Sequence, residues 1–413
     1  MDGGGTGNPQ VFHRPHIDLL QPLAWQENAP FISLVGSHSK ATILIILDRM
    51  KITEVIEHRL SYPIERPYRN SRFWMKARPA TLVEVRTDNG LVGWGEGGLP
   101  SEEAIATHVI GRDPFDYEVI YDALSNNGQE GNKACAIEIA LWDLMGKTLD
   151  KPVYQLLGGA RRTFVPAYAS GFFQREGLDH FQDLADEARR CRDLGFGALK
   201  ARIGFGPEYD PQILAAMRKG AGDDVALAAD VNLGYDVDTA IEAGKRLADF
   251  DLLWYEEPVP REDIDGYCRL REALPMRISG AEGRVGVRAF QEVVDRQALD
   301  ILQPDISIAG GFTECRRIWA LAWANRIPIL PHYFGAVVRL AATLQWMATI
   351  PEDPEAEDPL PLYLELDVME NGLRTDLSRI PFELEDGMMP IPDRPGLGVE
   401  IDESALYKYA ATD

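Results

Sequence analysis

The chain has 413 residues and an apolar fraction of 45%, enough for one large barrel plus a smaller domain. A net charge of −23 without a long basic run excludes nucleic-acid binding, and it requires any anionic ligand to be held by local cations or a metal. Cys135, Cys191, Cys268 and Cys315 are scattered with no CxxC pair, which reads as free thiols in a reducing compartment; no apolar run reaches the roughly 18 residues of a membrane span.

The first residues are Gly-rich and the stretch up to Ser39 has no sustained period; "ATILIILD" (41–48) is too short and too far in for an ordinary signal peptide. Residues 1–49 are therefore expected to form an extension outside the core fold, and the protein is expected to be cytoplasmic, with no membrane partner. From Ile52 to Gly97 the chain reads mostly as strand: "KITEVIEHRL" and "PATLVEVRTDNGLVGWGEG" alternate apolar and polar residues, and Asp88-Asn89-Gly90 is a hairpin turn signal. The intervening "SYPIERPYRNSRFWMKAR" is aromatic and basic, and is expected to be a long loop. Ala, Ile, Leu and Trp recurring at three and four in "ACAIEIALWDLMGKTL" predict a helix over 134–149. Residues 50–160 thus read as a compact α+β domain.

Beyond Arg162 short apolar strands alternate with helical segments: "TFVPAYAS", "GALKAR", "VALAADVN", "DLLWYEEP", "MRISGAE", "ALDILQPD", "RIPILPH" and "LPLYLELD". Eight such strands argue for a (β/α) TIM-type barrel over 161–380, with 381–413 as a C-terminal segment. A doubly wound sheet would want a Gly-rich phosphate turn after its first strand, and none is there.

The strand ends carry the chemistry. Lys200 and Arg202 share one face of their strand. They are followed at intervals of 30, 26, 26, 23, 27 and 33 residues from Lys200 by Asp230, Glu256, Glu282, Asp305, His332 and Glu365. Each interval is about one βα unit, and strand C-termini of such a barrel form the active-site face. One of these carboxylates alone reads equally well as a solvated strand end or a helix cap. Asp230, Glu256 and Glu282 in succession would repel one another without a counter-ion, and an all-oxygen set of this kind suits Mg²⁺. Asp305 beside His332 is the arrangement that fixes an imidazole's tautomer for general-base work. Glu365 or Asp367, two residues on, is expected to hydrogen-bond substrate as a protonated carboxyl; for Asp367 a solvated strand end is the competing reading. Around one centre, these groups suit binding a carboxylate, removing its α-proton and stabilising the enediolate.

From about Met50 onward the chain resembles the enolase superfamily, specifically its mandelate racemase subgroup. "AIEIALWDLMGKTLDKPVYQLLGG" is similar to the helix and turn leading into that family's barrel, "LKAR" stands at its K-x-K strand, and "ADVN", "WYEEP" and "ISGAEG" at its metal-ligand strands. "LQPDISIAGG" and "LPHYF" match its dyad, and "EDGMMPIPDRPGLGVEID" its returning C-terminal segment. The resemblance implies a (β/α)7β barrel with an N-terminal α+β capping domain, and Mg²⁺ on Asp230, Glu256 and Glu282. It further implies Lys200 on the substrate carboxylate, His332 as acid/base held by Asp305, and Glu365 on the carboxylate or enediolate. Asn232 and Glu257, beside the ligands, would support them, and the 62–78 segment with Arg66, Tyr68, Arg69, Arg72 and Trp74, and the "GGLP" turn (97–100), would lie over the site. Family members are often symmetric homo-oligomers, which sets the same expectation here.

Arg202 departs from the pattern. Where the racemase has a second base, a guanidinium is a poor proton acceptor and a good clamp for carboxylate or hydroxyl. One base suffices for β-elimination, so the expected reaction is dehydration of an aldonate or aldarate to a 2-keto-3-deoxy acid. A racemase or epimerase using Lys200 as second base, and a non-catalytic metal-stabilised binding protein, are the alternatives; a muconate-type cycloisomerase is disfavoured, because it relies on a Lys at the position of Arg202.

Overall fold

The computed structural model describes residues 49–126, 128–352 and 359–411. The extension expected over residues 1–49 lies outside the described residues except for Arg49. Met50–Asp413 forms one compact unit.

The chain opens with a hairpin and a third strand: β1 (Ile52–Arg69), β2 (Trp74–Thr87) and β3 (Val92–Glu96), all antiparallel neighbours. The stretch 61–78, expected as a loop, is mostly strand. β1 and β2 pair on to Tyr68↔Met75 and Arg69↔Trp74, after an irregularity between Pro63 and Tyr68. Pro63 and Pro67 remove donors and break the visible alternation, while the aromatic residues around them favour strand. Only 70–73 turn, held by Asn70 Oδ1, which accepts from the Arg72 and Phe73 amides at 2.9 and 3.0 Å.

Helix Gly131–Leu149 lies on this sheet and is buried continuously from Ala134 to Gly146. Its close approach needs the bare backbone of β3: a Cβ on Gly95 would stand 1.7 Å from the Ala136 carbonyl oxygen. The helix also buries Glu138, which accepts from Trp142 Nε1, the Phe312 and Thr313 amides and the Thr313 hydroxyl at 2.7–2.8 Å. Glu138 thereby caps helix Gly311–Ala324 of the barrel and fastens the two layers together. Glu138→Ala leaves these buried donors without an acceptor. At about 1–3 kcal/mol for each such group, the variant should lose about 3 kcal/mol or more in urea denaturation; a loss under about 1 kcal/mol would show that the cap is not a fastening point.

The barrel begins at β4 (Phe164–Ser170), after which β5 (Gln174–Arg175) pairs back onto β1. Then come β6 (Ala198–Arg202), β7 (Ala226–Asp230), β8 (Leu252–Glu256), β9 (Ile278–Gly280), β10 (Ile301–Leu302) and β11 (Leu364–Asp367). The parallel order is β10-β9-β8-β7-β6-β4-β11, and β12 (Met388–Pro390) pairs antiparallel with the start of β4. The stretch expected as the seventh barrel strand, "RIPILPH", is reduced to one parallel bridge, Leu302↔Ile329. Pro328 and Pro331 remove the amides that would extend it. It still occupies the strand position, since Leu330 N donates to Leu302 O at 3.0 Å and His332 N to Pro304 O at 3.2 Å. The end of the chain returns to the first sheet, with Ser61 N on Tyr409 O and Ala411 N on Arg59 O, each at 2.8 Å. The fold is thus a TIM-barrel-like parallel sheet with a separate antiparallel capping domain. The four cysteines are free, and among the described residues no helix is long and apolar enough to cross a membrane.

Candidate active site

Strand period two brings Lys200 and Arg202 of β6 to the same face, and the register Arg202↔Asp230↔Glu256 sets the next two strand ends beside them. All four are buried. Opposite the two cations stand carboxylates. Lys200 Nζ lies 2.5 Å from Glu256 Oε1, 2.8 Å from Glu365 Oε1 and 3.9 Å from Asp230 Oδ2. Arg202 pairs with Asp230 through Nη1 and donates through Nη2 to Ser170 Oγ at 2.8 Å; that hydroxyl donates in turn to Glu365 Oε1 at 2.6 Å. The Arg202 guanidinium also lies over the Phe173 ring, 4.8 Å from its centroid. Burial works against the charge on both cations and is outweighed by their carboxylate partners: Asp230 first for Arg202, Glu256 and Glu365 for Lys200. Both are held above their ordinary pKa.

Asp230 is oriented by Asn232, whose amide N and Nδ2 donate at 2.7 and 2.9 Å. Glu256 Oε2 accepts from Trp254 Nε1 at 2.8 Å and Gln303 Nε2 at 2.7 Å. Glu282, two residues beyond β9, accepts from Arg261 at 2.9 Å through Oε1 and faces His332 Nε2 at 3.1 Å through Oε2. Arg261 also grips Glu257 with two bonds of 3.0 and 3.2 Å.

Among the described residues, no three His, Cys, Asp or Glu side chains are already arranged to hold a metal ion. The reason is visible: Arg202 sits on Asp230, Lys200 on Glu256, and Arg261 and His332 on Glu282. The internal cations do not neutralise the cluster fully. Burial, with Glu256 adding to it, pushes Asp230 up to about 7, and burial with Glu282 pushes Glu257 up to about 8. Two buried acceptors beside the ligand candidates, Asn232 Oδ1 and Gln303 Oε1, have no hydrogen-bond partner among the described residues. Hard oxygen donors from three neighbouring strand ends, with negative charge to spare, fit a divalent cation such as Mg²⁺.

His332 Nδ1 lies 2.6 Å from Asp305 Oδ2, so Nδ1 carries the proton and Nε2 faces the centre, 3.1 Å from Glu282 and 3.8 Å from Glu365. Asp305 Oδ1 accepts from the Ser307 amide at 2.8 Å, and the Arg339 guanidinium contacts Oδ2.

Two expectations need correction. Glu365 is not a protonated donor: burial raises it, but Lys200, His332 and Arg202 prevail and hold it well below the usual carboxylate range. Asp367 is neither a solvated end nor a substrate donor: it is fully buried and ion-paired to Arg78 of β2 at 2.7 Å. Arg66 is exposed and donates to the Glu176 carbonyl at 3.1 Å. Tyr68 is buried in the wall, its ring 4.8 Å from that of Phe173 and its hydroxyl accepting from Arg78 at 3.0 Å. Arg69 stacks on Phe205 at 5.0 Å, Arg72 and Trp74 are exposed, and Gly97 and Gly98 line a cavity of about 680 Å³ with Glu96, Ser307, Phe334 and Arg339.

Sequence reasoning missed Ser170, Arg78, Arg261, Gln303 and Arg339. Ser170 was within reach, because it ends the first barrel strand as the others end theirs. Arg78 and Arg339 carry no local signal, since each meets its partner only across the fold.

Two family models match: "Mandelate racemase / muconate lactonizing enzyme, N-terminal domain" over residues 52–158, and "Enolase C-terminal domain-like" over 183–405. The chain is 39% identical over 377 residues to D-galactarolactone cycloisomerase of Agrobacterium fabrum, covering 88% of this chain and 100% of that protein. It is 31% identical to arabinonate dehydratase of Saccharolobus solfataricus, covering 79% of this chain and 89% of the relative. Among solved structures it resembles a racemase from Streptomyces coelicolor A3(2) with bound magnesium. The TM-score is 0.76 at 27% identity, over 87% of this chain and 100% of that one. With both models matched in order and the strand-end constellation in place, the chain belongs to the enolase superfamily, in its mandelate racemase / muconate lactonizing enzyme family.

Proposed function

We propose that the chain removes the α-proton of an acid sugar with His332 and expels the β-oxygen, dehydrating an aldonate or aldarate to a 2-keto-3-deoxy acid. The observation that carries this reading is the difference between the two sides of the centre. On one side is an imidazole whose Nδ1 is committed to Asp305 and whose Nε2 points inward. On the other are a guanidinium, which does not give up its proton, and a lysine engaged by Glu256 and Glu365. One side can take a proton; the other can only bind.

Lys200 and Arg202 would receive the substrate's carboxylate and a neighbouring hydroxyl, turning from the carboxylates they now hold. Mg²⁺ on Asp230, Glu256 and Glu282 would supply Lewis-acid stabilisation of the charge that builds on the substrate carboxylate. His332 Nε2 takes the α-proton, and the C–H electrons become the C=C bond as the β C–O bond breaks. The imidazolium then protonates the departing hydroxide to water, and the enol takes a proton from solvent at C3 while its O–H proton returns to solvent, giving the 2-keto acid. Asp305 holds the ring for both transfers. Relatives named as a sugar-acid dehydratase and a magnesium-bound racemase support the substrate class and the metal.

A second reading has one specific support, the 39% identity to a cycloisomerase along that protein's whole length. If the leaving oxygen belongs to a ring, the same elimination loses no water and counts as an isomerisation. The reading is tested by incubating the full chain and Mg²⁺ with a library of aldonates, aldarates and their lactones, with semicarbazide detection of 2-keto acids. A keto acid from an open-chain acid supports dehydration, and one formed only from a lactone supports ring opening. Neither turnover nor α-proton exchange across the library would leave a binding protein.

A further inference from the structure

We propose that Arg339, placed by Glu96 of the capping domain, is a positioning residue for the Asp305–His332 pair, so that the capping domain and the base are set as one unit. The proposal rests on His332 being the base, as argued above.

The chain of contacts begins at the end of β3. Glu96 is buried; its two oxygens accept from the amides of Ala336 and Arg339, each at 2.8 Å. These amides open helix Val337–Met347, whose own N-cap, Ala336, offers no side-chain acceptor. A carboxylate from the other domain therefore caps the helix. Two residues into it, Arg339 turns its guanidinium to Asp305 Oδ2, the same oxygen that meets His332 Nδ1. Gly335 makes room for this arrangement: a Cβ there would stand 2.5 Å from Arg339 Cδ and 2.6 Å from Glu96 Oε1.

The charges give the arrangement a purpose. Asp305 is fully buried, and a buried carboxylate without a cation is costly. His332 is a cation for only part of a catalytic cycle, whereas a guanidinium is one throughout. Arg339 thus fixes the same Asp305 oxygen that holds His332 Nδ1, which sets the ring with Nε2 towards the centre. A misplacement of about 1 Å in a base costs about 100-fold in rate, so a support of this kind has catalytic weight without touching substrate.

The test has two arms on the full chain with Mg²⁺. In the first, protein labelled with ¹⁵N-histidine is read for ring tautomers, His332 being assigned among the seven histidines by the signal missing in His332→Asn. Wild type should show Nδ1–H. Arg339→Ala should give mixed tautomers, and Arg339→Lys should largely restore the single form; an unchanged His332 tautomer in Arg339→Ala overturns the proposal. In the second arm, kcat and KM are measured on the acid sugar or lactone that wild type turns over. Arg339→Ala should lower kcat about 100-fold with KM changed less than about threefold. In a double-mutant cycle it should cost almost nothing further once Asp305 is Asn. Losses that simply add would mean that Arg339 supports the fold and not the dyad. Should Arg339→Ala not fold, Glu96→Gln carries both arms, expected to show the same change in smaller measure. If His332→Asn keeps full activity, the functional reading fails, and the tautomer arm still decides on Arg339.

Discussion

His332→Asn is expected to abolish turnover and to leave the protein folded. The side chain is about 10% exposed and sits at a strand end, bonded to Asp305 at 2.6 Å, and Asn keeps a donor for that carboxylate. What is lost is Nε2, the proton acceptor that faces the centre. General acid–base groups contribute about 10²–10⁴-fold, and here one group serves both proton transfers, so the loss should reach the top of that range or the assay floor. Exchange of the substrate's α-proton with solvent deuterium should stop together with product formation. If exchange survives while product does not, another group takes the proton, and the assignment of the base is wrong.

Removing divalent metal is expected to have a comparable effect on rate and a small one on the fold. Without metal the carboxylates at the barrel mouth are not abandoned: Lys200 lies 2.5 Å from Glu256, Arg261 2.9 Å from Glu282, and Arg202 pairs with Asp230. The chelated protein should therefore stay folded, with all turnover gone. A Lewis acid supplies several kcal/mol to the transition state, and each 1.36 kcal/mol is about tenfold in rate, so a loss of about 10³-fold or more is expected. Adding Mg²⁺ back should restore activity and raise the stability by about 2.7 kcal/mol at a hundredfold excess over Kd. Asp230→Asn and Glu256→Gln should reproduce the loss of turnover and blunt the stabilisation. Activity that survives exhaustive chelation would show that catalysis needs no metal.

These effects concern residues that could be found in the sequence because barrel strands announce themselves. Lys200, Asp230, Glu256, Glu282, Asp305, His332 and Glu365 each follow a short apolar run at about one βα interval, and the structure brings them to a common mouth. Strand signals failed where proline intervened. Pro63 and Pro67 made a hairpin read as a loop, and Pro328 and Pro331 reduced a barrel strand to one bridge. Charge states were less legible still. Glu365 looked like a carboxyl in a negative field, but Lys200 and Arg202 converge on it from a strand 165 and 163 residues earlier in the chain, and hold it as an anion. Arg78 reaching Asp367 and Arg339 reaching Asp305 are contacts of the folded chain alone. Nothing in the alternation of a hairpin or the period of a helix says which distant carboxylate a long side chain will meet.

With Arg202 in the place of a second base, proton abstraction is expected to work from one side only. The most direct test follows a substrate of the full chain with Mg²⁺ in D₂O, stopping at half conversion and examining both product and recovered substrate. A 2-keto-3-deoxy product is expected, with recovered substrate of unchanged configuration at the α-carbon. Recovered substrate that is deuterated and inverted, with no keto acid formed, would contradict one-sided abstraction and place a second base opposite His332.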